Sequence, residues 1–119
     1  MTVRRIKTYS AETGYVYQYH FEELRSPHQR DGRDGSEYVF IASRDRKTTF
    51  PVPIFLHRHA LDAWADAHGR ELTGSEQYAA VKMRLFRFFD ETEDAEKDSQ
   101  QVEVTPENIH DLLAILDID

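Results

Sequence analysis

Hydrophobic and polar residues alternate along much of the first half of the chain, the pattern of β-strands with one buried face. The clearest case is Tyr15-Val-Tyr-Gln-Tyr-His-Phe21, in which aromatic residues occupy every second position. Shorter alternating, β-branched or aromatic-rich runs lie before and after it. The pattern predicts four strands, over residues 3–8, 15–24, 37–44 and 48–56.

Two features qualify this strand assignment. Residues 25–36 have no apolar residue except Pro27 and carry two Asp-Gly pairs, so we predict a mobile surface loop between the second and third strands. Pro51 and Pro53 lie two apart in the fourth strand, and neither has an N–H for a strand ladder. This strand is therefore expected at a sheet edge, or to leave the sheet at Pro51.

After residue 57 the hydrophobic period changes to about 3.6 residues, which is typical of amphipathic helices. Gly69 fits the C-terminal cap of a first helix, and Thr73 with Glu76 fits a capping box before a second, with Ser75 as a competing cap. Together these signals predict three helices, over residues 58–68, 75–91 and 106–116.

Between the second and third helices the chain is strongly acidic. Residues 90–101 read DETEDAEKDSQQ, which predicts a solvated acidic linker. Val102–Val104 is a candidate short strand. Four successive strands followed by helices predict one α+β domain over residues 1–119. Its expected architecture is a two-layer sandwich, an antiparallel β-meander of about four strands covered on one face by three helices.

The charge distribution limits the classes of partner. Residues 1–50 carry 9 Lys and Arg against 7 Asp and Glu, whereas residues 51–119 carry 6 against 15, and the net charge is −7. An acidic half disfavours nucleic acid or anionic membrane as the main partner. Unlike halves favour contact between two copies, and a homodimer is expected. The chain has no cysteine and no apolar run after its basic N-terminus, which favours the cytoplasm.

His57 and His59 are the first candidates for chemistry. On an extended backbone, histidines two apart point to one side and share a metal, whereas in a helix they lie about 200° apart. They fall at the strand-to-helix junction, so both geometries remain open. His20 is the candidate third ligand, although no recognised metal-binding spacing is present. The alternative is that these are ordinary surface histidines.

The aromatic stripe formed by Tyr15, Tyr17, Tyr19 and Phe21 is the second candidate. Residues of the opposite strand face, such as Gln18 and His20, cannot build a core, so we expect the stripe to face the helices. If it faces outwards instead, it is an aromatic surface suited to dimerisation or ligand stacking.

A third candidate is the basic tip formed by Arg44, Arg46 and Lys47, which is suited to holding an anion. His68 lies on the same helical face as Trp64, so a partly buried, hydrogen-bonded packing role is expected for it. No phosphate-binding loop, nucleophile elbow or paired-cysteine motif is present, and no cofactor is indicated.

The sequence leaves the function and any small-molecule ligand unknown, and it leaves open whether the protein is an enzyme. Two hypotheses follow. The first is a non-catalytic binding or interaction module that self-associates through its sheet. The second is a small metal-binding protein or metal-dependent enzyme centred on His57 and His59.

Overall fold

The computed structural model describes residues 5–118, and its five strands form one sheet in the order β1-β2-β3-β4-β5. The strands are β1 (Lys7–Ser10), β2 (Val16–Arg30), β3 (Arg33–Ser43), β4 (Phe50–His57) and β5 (Val102–Val104). The helices are α1 (Arg58–His68), α2 (Gly74–Glu91), α3 (Ala95–Asp98) and α4 (Ile109–Ala114), and a 3-10 turn spans Ser99–Gln101. The predicted α+β class is confirmed.

The first four strands form the predicted antiparallel meander, and β5 adds a fifth, parallel strand beside β4. The sheet is mixed and more curled than a flat sandwich layer. The prediction of an edge position for β4 holds only for its first half. Residues 54–56 pair with Val102–Val104, whereas Pro51 and Pro53 precede this pairing. Pro51 and Pro53 lack the N–H groups that a second neighbouring strand requires, and the pairing with β5 begins after them.

The prediction of a loop over residues 25–36 is wrong. β2 continues to Arg30, β3 starts at Arg33, and Asp31 and Gly32 form the turn with positive φ values of 53° and 76°. The ladder pairs Arg25 with Glu37 and tolerates two register shifts, between Phe21 and Glu23 and between Arg25 and His28. Residues 25–36 are polar although most of them lie in strands, because charged side chains cover this part of the sheet.

Two other predicted segments differ in extent. The predicted strand over residues 3–8 corresponds to β1, which covers Lys7–Ser10, and residues 3 and 4 lie outside the described residues. The acidic linker predicted over 90–101 is largely structured, because α2 continues to Glu91 and is followed by α3 and the 3-10 turn. Ala95 and Ser99 are buried there, so part of the segment packs against the rest of the molecule.

The helices begin and end largely where their end signals lie. α1 covers the predicted 58–68, and Gly69 caps it at a φ of 71°. α2 begins with the predicted capping box between Thr73 and Glu76. α4 is shorter than the predicted 106–116, because the Asn108 side chain accepts a hydrogen bond from Thr105 N at 2.8 Å and donates one to Glu103 O at 3.1 Å. These local bonds hold a turn before the helix.

The core lies between the helices and one face of the sheet, which we call the inner face. Alternate residues of β2, β3 and β4 point into it, and α2 packs across them with Leu85 and Phe89 buried. Trp64 of α1 is also buried, and the His68 ring stacks on it and bonds Trp64 O at 2.9 Å, as its predicted packing role requires. None of the helices in residues 5–118 combines the length and hydrophobicity of a membrane-spanning helix.

Candidate functional site at the hairpin tip

The outer face of the sheet, which points away from the helices, buries charged side chains near the β2–β3 turn. Glu37 and His57 are only 6% and 7% exposed. Val39 and Phe55 are also buried there, although neither belongs to the main core. Strand alternation places these residues opposite the inner-face side chains. This end of the outer face is therefore a second, polar layer of packing.

Glu37 is the centre of an ion-pair network that we call the Glu37 cluster, made of Arg25, His28, Arg30 and Glu37. Its Oε1 lies 2.9 Å from Arg30 Nη2, and its Oε2 lies 3.3 Å from Arg25 Nη1 and 3.1 Å from His28 Nε2. Arg25 also donates to Glu23, and this bond raises the pKa of the Arg25 guanidinium. The partners offset the cost of removing the Glu37 carboxylate from water.

Arg30 joins the Glu37 cluster to the far side of the sheet. Its Nη2 donates to Pro53 O at 3.2 Å, and its Nη1 donates to Val102 O at 3.0 Å. Pro53 immediately precedes the residues of β4 that pair with β5, so Arg30 contacts both strands at the point where their pairing begins. The guanidinium also lies 5.3 Å from the centre of the Phe55 ring, which it covers. One side chain thus fastens the hairpin tip across β4 and β5.

His57 and Glu103 form a second pair beside this network. His57 ends β4 in an extended conformation and precedes α1, without capping that helix through its side chain. Its Nε2 lies 3.2 Å from Glu103 Oε1 in β5, and its ring meets Phe55 edge-on at 4.7 Å. The parallel pairing of β4 with β5 brings the two residues together. A carboxylate beside an imidazole fixes the ring and is a common arrangement in binding and acid–base sites.

Three clefts surround the same end of the molecule, and we call them the tip clefts. The largest, about 930 Å³, lies between the hairpin around Pro27 and the start of α1. The second, about 210 Å³, is lined by Arg33, Asp34, His57, Arg58, His59 and Asp62. The third, about 430 Å³, is lined by Arg30, Asp31, Arg33, His57, His59, Glu103, Thr105, Pro106 and Glu107. The second and third clefts share three residues and are therefore contiguous.

The structure brings His57 and His59 to the same two clefts but does not bring His20 to them. His20 lies opposite Ile41, whereas His57 lies opposite Gly35, and six strand residues correspond to about 20 Å. Among residues 5–118, no three or more His, Asp or Glu side chains come together in a way that could hold a metal ion. His57 is instead paired with Glu103.

The aromatic stripe faces the helices, as expected. Tyr17 and Tyr19 are buried, and the Tyr17 ring stacks on Phe89 at 4.0 Å. Burial raises the pKa of both phenols. Tyr15 and Phe21, at the two ends of the stripe, remain 40% and 37% exposed. The stripe therefore offers no continuous aromatic surface to a partner.

The three residues of the basic tip lie in different environments. Arg44 lies over the Tyr15 ring at 4.2 Å and donates to Glu93 O at 2.8 Å, so it fastens this turn to the segment after α2. Arg46 and Lys47 are exposed. Backbone N–H groups of the turn bond the Asp45 carboxylate, and they lower its pKa to about 2. An anion-binding role for the three basic residues stays a prediction.

Sequence reasoning missed Arg30, Arg33, Glu37 and Glu103 as site residues. A signal was present in the Asp31-Gly32 pair, because Asp-Gly between two strand segments is typical of a hairpin turn. A hairpin there would have placed the charged residues of 25–37 in register. Nothing local connects Glu103 with His57, since that contact depends on the parallel pairing of β5.

Comparison of the chain with protein-family models, with curated proteins and with solved structures found no match.

Proposed function

We propose that the protein is a non-catalytic binding module and that its binding site is formed by the tip clefts. The observation that carries the proposal is their position. All three clefts lie at the end of the molecule where Glu37 and His57 are buried on the outer face. Concave surfaces with convergent polar groups are the usual places of ligand binding.

The Glu37 cluster supports this proposal because it makes the cleft walls rigid. Arg30 donates to Glu37 and to carbonyl groups of β4 and β5, so the hairpin tip is held at a fixed distance from His57 and Glu103. Binding sites whose walls are locked by a second layer of hydrogen bonds lose less conformational entropy on binding.

The proposal is tested by NMR with a set of small polar compounds that includes anionic, cationic and uncharged members. We expect amide shift changes to concentrate in residues 29–36, 57–62 and 103–107 for at least one compound. Changes that concentrate at the opposite end of the sheet, or no changes with any compound at millimolar concentration, contradict the proposal.

Self-association and a cytoplasmic location are the finer parts of the proposal. The surface that supports self-association is the β1 side of the sheet. In the described part of the chain β1 is the outermost strand, and Ile6 and Val16 are exposed beside it. Sedimentation equilibrium is expected to give a dimer that Ile6→Lys weakens, and a monomer at high concentration would refute it. The cytoplasmic location is supported by the lack of cysteine.

A metal-binding role is the second candidate, favoured by one observation. His57 and His59 line the same two clefts, and imidazole groups are ligands for zinc and related ions. The test is the thermal shift on adding zinc, nickel or manganese to untagged protein. A stabilisation that His59→Gln abolishes would support the role, and no shift with any of the three would exclude it.

A further inference from the structure

We infer that the ligand of the tip clefts is a small molecule with an oxyanion at one end and hydrogen-bond donors, hydroxyl or ammonium groups, at the other. Arg33, Arg58 and His59 would hold the oxyanion. Glu107 and Asp31 would accept from the donors. This inference rests on the proposed function and names the chemistry of its ligand.

Two guanidinium groups in the second cleft, those of Arg33 and Arg58, have no partner among residues 5–118. Among residues 5–118, neither Arg33 nor Arg58 has an ion pair or a side-chain hydrogen bond, whereas Arg25, Arg30 and Arg70 are all paired with carboxylates. Guanidinium groups match the oxygens of phosphate and carboxylate in a bidentate manner. Two of them in one small cleft therefore favour an oxyanion.

Two carboxylates, those of Asp34 and Asp62, line the same cleft. Asp34 accepts a hydrogen bond from Gln29 at 2.7 Å. In the described part of the chain neither Asp34 nor Asp62 lies within ion-pair distance of Arg33 or Arg58, although all four residues line the cleft. The two arginines are thus not neutralised by direct contact. The exposed His59 side chain is also without a partner among residues 5–118 and offers an N–H to the same space.

The adjoining third cleft offers hydrogen-bond acceptors from acidic side chains. Asp31, Glu103 and Glu107 line it, together with the hydroxyl-bearing Thr105. Glu103 is engaged by His57, whereas Asp31 and Glu107 have no partner within residues 5–118. Free carboxylates accept hydrogen bonds from hydroxyl and ammonium groups and repel a second anion. This cleft therefore favours the donor-bearing part of the ligand.

A single small ligand can occupy both clefts. Arg33, His57 and His59 line the two of them. The second cleft, about 210 Å³, is below the usual size of a complete small-molecule site and suits a single anionic group. The third, about 430 Å³, lies within that size range and has room for the remainder of a small ligand.

The experiment is isothermal titration calorimetry with three probes: inorganic phosphate, glycerol 3-phosphate and glycine. Glycerol 3-phosphate carries the oxyanion with hydroxyl donors, glycine carries a carboxylate with an ammonium group, and phosphate carries the anion alone. We expect glycerol 3-phosphate or glycine to bind at least ten times more tightly than phosphate, and its binding to weaken with added salt. Which of the two binds more tightly identifies the oxyanion as phosphate or carboxylate.

Two variants make the result specific. The double variant Arg33→Gln with Arg58→Gln is expected to bind the tighter-binding probe at least ten times more weakly. Arg87→Gln with Lys97→Gln removes the same charge away from the tip clefts and is expected to leave the affinity unchanged. Equal weakening in both double variants, or no binding of any probe at 10 mM, overturns the inference. If uncharged polyols alone shift the amides of the tip clefts, the inference fails and the proposed function stands.

Discussion

The inner face of the sheet is closed by aromatic and aliphatic side chains, whereas the outer face near the β2–β3 turn is closed by charged ones. On the inner face the rings of Tyr17 and Phe40 are completely buried, and the Tyr17 ring stacks on Phe89 of α2. On the outer face Glu37 and His57 are nearly as buried. Arg30 forms an ion pair with Glu37, and His57 Nε2 lies 3.2 Å from Glu103 Oε1. The two faces thus reach similar burial by different chemistry.

This difference indicates where the molecule is adapted for binding. A hydrophobic face gains free energy in proportion to the area buried, largely without regard to direction. A buried charge network is weak evidence for stability, because a well-packed apolar replacement is often at least as stable. The polar layer at the hairpin tip is therefore better explained by its position beside the tip clefts than by stability alone.

The largest expected effect is on the inner face. Phe89→Ala removes a completely buried ring that stacks on Tyr17, and we expect it to lower the free energy of unfolding by about 4 kcal/mol. Urea unfolding followed by circular dichroism measures this loss. A loss below about 1 kcal/mol would show that the inner face is not the main core.

The matching change on the outer face is Glu37→Gln. It leaves the Arg30 guanidinium, which is 16% exposed, without its carboxylate, so we expect a loss of about 3 kcal/mol in the same assay. Glu23→Gln is the control, because this carboxylate is half-exposed where it pairs with Arg25, and its loss is expected to cost under about 1 kcal/mol. Equal losses in the free energy of unfolding for the two variants would mean that burial of the Glu37 cluster does not contribute to stability.

A smaller loss is expected at Gly35 of β3, whose Cα lies close to Leu56 and Phe55 of β4. A Cβ added at Gly35 would overlap Leu56 O and lie 2.8 Å from Phe55 Cζ, so Gly35→Ala must push the backbones apart, at about 2 kcal/mol. Gly74→Ala is the matched control, since nothing lies within 4 Å of the added atom. It should be neutral or slightly stabilising, and a loss of similar size there would refute the steric explanation.

The smallest effect separates the partly exposed carboxylate of Glu76 from the buried one of Glu37. The hydrogen bond from Arg70 and the bond from the Thr73 backbone lower the pKa of Glu76 from 4.5 to about 2. The stability that these bonds contribute is complete above pH 4.5 and is lost as the pH falls towards 2. Between pH 4.5 and about 2, the free energy of unfolding should therefore depend less on pH in Glu76→Gln than in the unchanged protein. Unfolding curves recorded at a series of pH values measure this dependence. Glu71→Gln, a nearby control, should leave the slope as it was.

Much of the fold could be predicted because each element carries its own local signal. α1 ends at Gly69 since glycine adopts the left-handed conformation there, and α2 begins at the capping box of Thr73 and Glu76. The alternation of Tyr17 and Tyr19 with polar residues correctly assigned their inward face. These features need only periodicity and end chemistry.

The hairpin tip could not be predicted in the same way. Residues 25–36 resemble a loop because a strand buried by ion pairs lacks the apolar alternation on which strand prediction depends. The partners of Glu37 become visible only once the register of β2 and β3 is known. Likewise His57 was a candidate from its type and place, but its partner Glu103 lies far away in sequence, on a strand of three residues. Long-range pairing therefore carried the information that the sequence pattern lacked.

The most direct test of the central claim is a crystal structure of the protein grown with the probe that binds best. The account predicts ligand density between the hairpin tip, the start of α1 and β5, with its oxyanion against Arg33 and Arg58 and its donors towards Glu107. Density at the Arg44–Lys47 tip or beside β1, with the tip clefts empty, would contradict it.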